Sequence, residues 1–299
     1  MTQPAPTREF LVAGARLHAP ALAPGLYLVA TPIGNLSDIT LRALETLAAA
    51  DAIACEDSRV SRRLLQHYGI AVPLTPYHEH NAASARPKLL ERITGGEAIA
   101  LISDAGTPLI SDPGFKLVRE AHERGLSVSA IPGASSVLTA LVSSGLPTDR
   151  FFFEGFLPPK AAARNARIRA LLHIPGSLVL FESGPRIADC LAALAAILGD
   201  REAAICRELT KLHEEIRRDT LPALASHYAG EAETRGEFVL VIAPPAEQAP
   251  AAAGDIDGLV RAAMTRLSVK DAVAEVVAAT GWQRRDVYQR ALDIAKADG

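Results

Sequence analysis

The chain has 299 residues, 49% hydrophobic and 22% charged, with a formal net charge of -3. That composition excludes a disordered polyelectrolyte and a protein that coats nucleic acid with its whole surface, and the length leaves room for two domains of ~150 residues each. Cys55, Cys190 and Cys206 are odd in number and far apart, so neither a disulfide framework nor a CxxC zinc site is readable, and a reducing, cytoplasmic setting is expected. No apolar run approaches the ~18 residues of a membrane span, and no membrane association is expected.

In chain order, the Ala- and Pro-rich residues 1–24 read as a flexible tail. From Gly25, short apolar runs ("LYLVA", "AIACE", "AIALISD", "SVSAIPG") alternate with helical stretches ("DITLRALETLAAA", "SRVSRRLLQHYG", "GFKLVREAHERG", "ASSVLTALVSSG"). Such alternation predicts βαβ units, and strands apolar throughout predict a parallel sheet covered on both faces. This first domain is expected over residues 25–147. A break at "GLPTDR" opens a second domain over 148–244, where "FFFEGF", "SLVLFES", "EAAICREL", "EEIRRDTL" and "GEFVLVIAP" lie close enough together to suggest a mixed sheet. Residues 245–254 have linker composition, and residues 255–299 read as a small module of three short helices. There Ser268 pairs with Asp271 as a cap, and Gly281 ends the middle helix.

Ligands of an α/β sheet bind beyond the carboxyl ends of its strands. Three such ends are built of small residues and turn formers: "ATPIGN" (30–35), "SDAGTP" (103–108) and "PGASS" (132–136). None is GxGxxG and none is a phosphate loop followed by lysine, which argues against a dinucleotide or nucleoside triphosphate. The stretch "LISDAGTPLISDPG" has two carboxylates and no cation, so Asp104 suits a hydroxyl, an amine or a positive centre, and an adenosine-sized cation fits such a loop.

The strings "LYLVATPIGNLSDITLRAL", "EDSRVSRRLL", "YHEHN", "LISDAGTPLISDPG", "IPGASSV", "FFFEGFLP", "FES" and "RELTKLHEE" resemble the tetrapyrrole-methylase-like S-adenosylmethionine transferases, from about Leu26 to Ile242. Within that family they are similar to a bacterial branch that modifies small-subunit ribosomal RNA. The resemblance implies a two-domain tetrapyrrole-methylase-like α/β fold with S-adenosylmethionine as cofactor in the cleft between the domains. It implies a cofactor site lined by Pro32, Ser103, Asp104, Leu109, Ser135 and Ser136. The implied reaction is 2'-O-methylation of a cytidine ribose in the decoding region of the small ribosomal subunit RNA, by a homodimer. Where relatives carry Glu-Ser-Pro-His-Arg or Glu-Ala-Pro-His-Arg, this chain has "ESGPR". Glu182 and Arg186 carry over as substrate-binding candidates, while Gly184 and Pro185 replace the Pro-His pair.

A sulfonium methyl donor needs mainly alignment with the acceptor oxygen, and a ribose hydroxyl must lose its proton, so a base is sought. The candidates are Asp57, Glu208 and Lys211. Lys211 could serve only with a lowered pKa, toward which burial beside Arg207 would push it. The alternative is that Glu208 and Lys211 merely pair with each other. His78 and His80, with Glu56 and Asp57, raise a competing metal-dependent phosphohydrolase, but no third fixed ligand is evident. The two histidines are therefore read as substrate contacts and no metal is expected. A basic loop, "KAAARNARIR", brings Lys160, Arg164, Arg167 and Arg169, and Arg59, Arg62 and Arg63 flank the same cleft. The C-terminal helices add Arg261, Arg266, Lys270, Arg284, Arg285 and Arg290 against Asp271, Glu275 and Asp286, which suits phosphate contact. A small-molecule methyltransferase of the tetrapyrrole type shares the core but has little use for these charges, and a non-enzymatic RNA-binding protein leaves the cleft loops without purpose.

Overall fold

A computed structural model describes residues 8–230, 234–246 and 253–297. Strands β1 (Glu9–Val12) and β2 (Ala15–His18) form an antiparallel hairpin. Its turn residues Ala13 and Gly14 have φ of 48° and 81°. That double positive φ is the turn geometry whose twist matches paired strands. Phe10 is buried in the neighbouring core, and the Leu11 N–H donates to the Tyr68 carbonyl at 2.8 Å. Part of the expected tail is therefore ordered: the strand-forming "EFLV" and "ARLH" around Ala-Gly outweigh the Ala/Pro content of their flanks. Residues 1–7 of that tail lie outside the described residues.

The following segment winds through β3 (Gly25–Val29), α1 (Leu41–Ala49), β4 (Ala52–Cys55), α2 (Ser58–His67), β5 (Leu74–Pro76), α3 (Ala82–Thr94), β6 (Ala98–Ile102), α4 (Phe115–Glu123), β7 (Val128–Ile131) and α5 (Ser136–Ser143). The strands form one parallel sheet in the order β5-β4-β6-β3-β7, with Leu26 opposite Ile99 and Ala54 opposite Leu101. Every residue of β4 and β6 is buried. The reason is visible in the two cores, one around Leu44, Leu47 and Ile53, the other around Leu89, Ile99 and Leu117, which cover opposite faces.

Next come β8 (Phe151–Phe156), α6 (Ala161–Leu171), β9 (Ser177–Ser183), α7 (Ile187–Leu198), β10 (Glu202–Arg207), β11 (Glu215–Thr220), α8 (Leu221–Ala229) and β12 (Glu237–Ile242). Their order is β11-β10-β12-β9-β8; only β8 and β9 run parallel, and the other neighbours are antiparallel. The sheet is mixed, as its short links require. Both sheets lie in one compact unit that ends at Pro245.

The second unit, residues 246–299, consists of α9 (Ala253–Met264), α10 (Val269–Thr280) and α11 (Arg284–Ala297) around Ile256, Val260, Val273, Val276 and Val287. Ser268 caps α10, its hydroxyl accepting from the Asp271 N–H, and Gly281 stops it in the left-handed region at φ 71°. Residues 247–252, most of the expected linker, lie outside the described residues. Among the described residues no helix is long and apolar enough to cross a membrane.

Candidate active site between the two sheets

A parallel sheet puts all its carboxyl ends at one edge, and the three small-residue loops meet there. The opening loop and the "SDAGTP" loop are stitched together by a two-way bridge: the Thr31 N–H donates to the Gly106 carbonyl at 2.9 Å and the Gly106 N–H returns to Thr31 at 3.0 Å. Buried Ser103 shapes the turn, its hydroxyl facing the carbonyls of Ala105 and Gly106 at 3.2 and 3.3 Å. Asp104 accepts a hydrogen bond from the Asp57 backbone N–H at 3.0 Å, which ties the β6 loop to the start of α2. Ser135 caps α5 and accepts from the Leu138 N–H, so the positive end of that helix opens beside it.

Beyond these loops lies a cleft of about 400 Å³ lined by both sheets. From the first come Ile33, Asp104, Asp112, Ser135 and Ser136; from the second, Phe156, Phe181, Glu182 and Glu237. Phe156 and Phe181 meet edge to face, with centroids 5.5 Å apart. The Glu182 side chain is 0% exposed; its Oε1 accepts from the Ser183 N–H, while Oε2 has no hydrogen-bond partner and sits 3.2 Å from the Arg186 guanidinium. Burial, reinforced by the charges of Glu56 and Asp104 and opposed by a hydrogen bond from Ser103, pushes the Asp112 carboxyl up to about 6. Glu56 is raised as well, first by burial and then by Asp104. Three carboxylates so placed repel one another and invite a cation.

Opposite stands the loop between β10 and β11. Lys211 Nζ donates to Glu208 Oε1 and to Glu237 Oε2, each at 2.8 Å, and the Glu237 N–H also donates to Glu208 Oε1 at 3.0 Å. Burial works to lower the lysine and raise the glutamate, but the hydrogen bonds overcome it: Lys211 is raised and Glu208 lowered. The condition for Lys211 as a base, a depressed pKa, is thus reversed, because its partners are carboxylates rather than Arg207. The pair lies three residues apart on one loop, and that loop packs on the first sheet's opening loop: a Cβ added to Gly34 would lie 2.4 Å from Lys211 Cγ.

Of the other expected residues, Asp57 caps α2 and is clasped by Arg59 at 2.6 Å; hydrogen bonds from the Arg59 side chain and backbone hold its carboxyl down at about 2. A carboxylate so satisfied is a poor proton acceptor at neutral pH. Pro32 and Leu109 stand behind the cleft's lining: Pro32 is half-buried next to the Thr31 bridge, and Leu109, at φ 73°, packs under Gly114. His78 is half-buried, its backbone N–H held by Asn81, with its ring 6.0 Å from that of exposed His80. No group of three or more His, Cys, Asp or Glu able to hold a metal is present among the described residues. The expected basic loop is the helix α6, since "AAARNARIRAL" is strong helix-forming sequence. Lys160 is exposed at its start, but Arg164 is 9% exposed and turned inward, where its charge reaches Cys190 together with those of Glu182 and Arg186. Arg167 is matched by a two-pronged bond to Glu154. The basic stretch therefore shows less charge than its sequence suggests. Arg186 donates to the Leu157 carbonyl at 2.7 Å and does not itself line the cleft; it stands behind Glu182, which does. Sequence reasoning missed Asp112, Phe156, Phe181 and Glu237. The second Ser-Asp pair was a signal for Asp112; for Glu237, placed by its strand neighbours, there was none.

Residues 25–225 match the tetrapyrrole (corrin/porphyrin) methylases and residues 250–295 the RsmI C-terminal HTH domain. A uroporphyrin-III C-methyl transferase from Thermus thermophilus, solved with S-adenyl homocysteine, shares the fold with a TM-score of 0.51 at 20% identity, over 73% of this chain and 97% of that one. The fold is thus that of the tetrapyrrole methylase class. Curated relatives narrow it. The ribosomal RNA small subunit methyltransferase I of Mesorhizobium japonicum is 51% identical over 97% of this chain and 98% of its own length, and that of Erythrobacter litoralis is 49% identical over 92% and 97%. The chain belongs to the ribosomal RNA small subunit methyltransferase I family.

Proposed function

We propose that this protein is an S-adenosylmethionine-dependent methyltransferase of small-subunit ribosomal RNA that acts on a ribose 2'-oxygen, that of a cytidine in the decoding region. The observation that carries the reading is the cleft's lining: carboxylates, phenylalanines, the start of a helix and, among the described lining residues, no lysine or arginine. That donor and acceptor set fits S-adenosylmethionine. Asp104 and Asp112 would face a positive centre, the phenyl rings a planar base, and the Oε2 of Glu182, which accepts no hydrogen bond, a donor N–H or O–H. The volume is within the ~300–1,000 Å³ of small-molecule sites. The relatives' names support the RNA substrate.

When bound, the cofactor supplies an activated methyl group. The chain's own work is to hold the acceptor hydroxyl in line with it and to take the proton. Glu237, which lines the cleft, is the carboxylate placed to accept that proton, and Glu208, ionised and fixed between Lys211 and the Glu237 N–H, holds the lysine in place. Lys211, kept as an ammonium, positions both and stabilises charge on the oxygen. Exposed Lys160, Arg169, Lys270, Arg284 and Arg285 offer phosphate contacts. The expected cytoplasmic homodimer completes the reading; on α5, Leu138 and Val142 form an exposed apolar pair one turn apart that suits a second copy, whereas α7 is spent on its own core.

Incubation with labelled S-adenosylmethionine and either small ribosomal subunits or tetrapyrrole precursors tests the reading. Label is expected on one ribose of the subunit RNA; label on the tetrapyrrole alone would overturn it. Deleting residues 255–299 should weaken RNA binding far more than cofactor binding, read by filter retention and calorimetry, and equal activity on subunits would refute that role.

A further inference from the structure

The loop between β10 and β11 has a feature that its ion pairs do not explain. Leu212, at its tip, is 92% exposed, whereas Lys211 beside it is half-buried. The loop is not slack. Glu208 and Thr210 both adopt positive φ, 51° and 65°, a strained backbone for a non-glycine residue that persists only where the surroundings enforce it. Here they do: Lys211 is pinned by two carboxylates, the Thr210 N–H by Glu214 Oε2 at 2.6 Å, and the Glu214 N–H by the Lys211 carbonyl at 3.1 Å. A strained, cross-braced loop thus holds an isobutyl group in water. Its base touches Gly34, next to Ile33 in the cleft wall, and Glu237, also in that wall, so the side chain stands at the cleft's rim.

A ribose 2'-oxygen can reach a cleft of this kind only if its nucleotide leaves the stack, which forfeits stacking energy. Proteins that open a stack commonly fill the gap with an aliphatic or aromatic wedge. We propose that Leu212 is such a wedge, inserting into the space vacated by the acceptor nucleotide while the same rigid loop delivers Lys211 and Glu208 to its sugar. The bracing has a clear purpose on this account: insertion by a preformed tip forfeits no loop entropy. The proposal rests on the RNA methyltransferase reading above and adds to it the element that splays the substrate.

The test compares full-length wild type, Leu212→Ala and Leu212→Met on small ribosomal subunits, with a second readout on a subunit RNA fragment carrying 2-aminopurine next to the acceptor nucleotide. The wedge predicts that Leu212→Ala lowers kcat/KM about tenfold or more, comparable to losing part of the unstacking cost. Leu212→Met should restore most of it, with S-adenosylmethionine affinity and oligomeric mass unchanged. The 2-aminopurine fluorescence should rise on binding to wild type and Leu212→Met but not to Leu212→Ala. Activity of Leu212→Ala within about twofold of wild type, an unaltered fluorescence rise, or a changed oligomeric mass would each overturn the wedge. Absence of methyl transfer by the wild type would instead remove the RNA methyltransferase reading, and the wedge with it.

Discussion

The two five-stranded sheets of this chain are equally apolar at their centres, yet they contribute to the cleft in different ways. The parallel sheet sends all its carboxyl ends to one edge, so loops separated by up to a hundred residues of sequence meet there and supply acids, hydroxyls and a helix start: Asp104, Asp112, Ser135. The mixed sheet has ends of both polarities on each edge. It contributes from strand ends that happen to adjoin, Phe156, Glu182 and Glu237, and the braced hairpin loop with Glu208 and Lys211 reaches the cleft only through the bond of Lys211 to Glu237. Parallel topology gathers groups by rule; antiparallel neighbours gather them by register. The lesson is that the parallel half presents an open, acidic edge, whereas the mixed half carries a stiff, cross-braced loop.

That contrast can be broken first at its glycines. A Cβ on Gly184 would lie 1.7 Å from the Thr234 carbonyl oxygen, backbone against backbone, so Gly184→Ala should destabilise the mixed-sheet half by about 3 kcal/mol or more. Gly34→Ala meets only side chains, the bendable Lys211 and the Thr210 hydroxyl, and should cost turnover more than stability. Thermal melts and single-turnover rates separate the two, and equal melting temperatures for both variants would contradict the packing argument. Second in size, Lys211→Ala and Glu208→Ala should each slow methyl transfer ~100-fold, the usual worth of proton-transfer assistance, with cofactor affinity nearly intact. Wild-type rates in both would remove the stiff loop from the chemistry.

The smallest effect concerns the acidic half. The Asp112 carboxyl sits at about 6, above its ordinary 3.8, so the folded protein holds this proton more tightly than the unfolded chain does. Its contribution to stability is full below pH ~4 and fades as pH rises through ~6. A sulfonium favours the ionised carboxylate, so affinity for S-adenosylmethionine relative to its uncharged demethylated product should climb several-fold between pH ~5 and ~7. Calorimetry at the two pH values reads it, and Asp112→Asn should flatten the slope. A ratio independent of pH in the wild type would show that Asp112 does not feel the ligand's charge.

Much of this architecture was legible from periodicity and punctuation. Unbroken apolar strands between amphipathic helices announced a parallel sheet, and the small-residue loops after β3, β6 and β7 announced its ligand edge. The hairpin at Glu9–His18 was hidden because its Ala- and Pro-rich flanks look like tail. Arg164 looked like surface because helix position, not residue type, decides which way a side chain faces. The direction of the Lys211 shift was unreadable because Glu237 lies 26 positions away in sequence and adjoins only through the β10-to-β12 register.

By itself, then, the order of residues determined the class of fold, the two halves, the helical module and the loops that open on a ligand, because those follow from local propensity and from the burial pattern along each segment. Tertiary structure alone decided which charges are spent on each other, as in Arg59 with Asp57, Arg167 with Glu154 and Lys211 with its two carboxylates. It also decided which apolar group is left standing in water at the rim. Electrostatic partnership and exposure depend on distances through space, and no spacing along the chain encodes them until the sheets have paired.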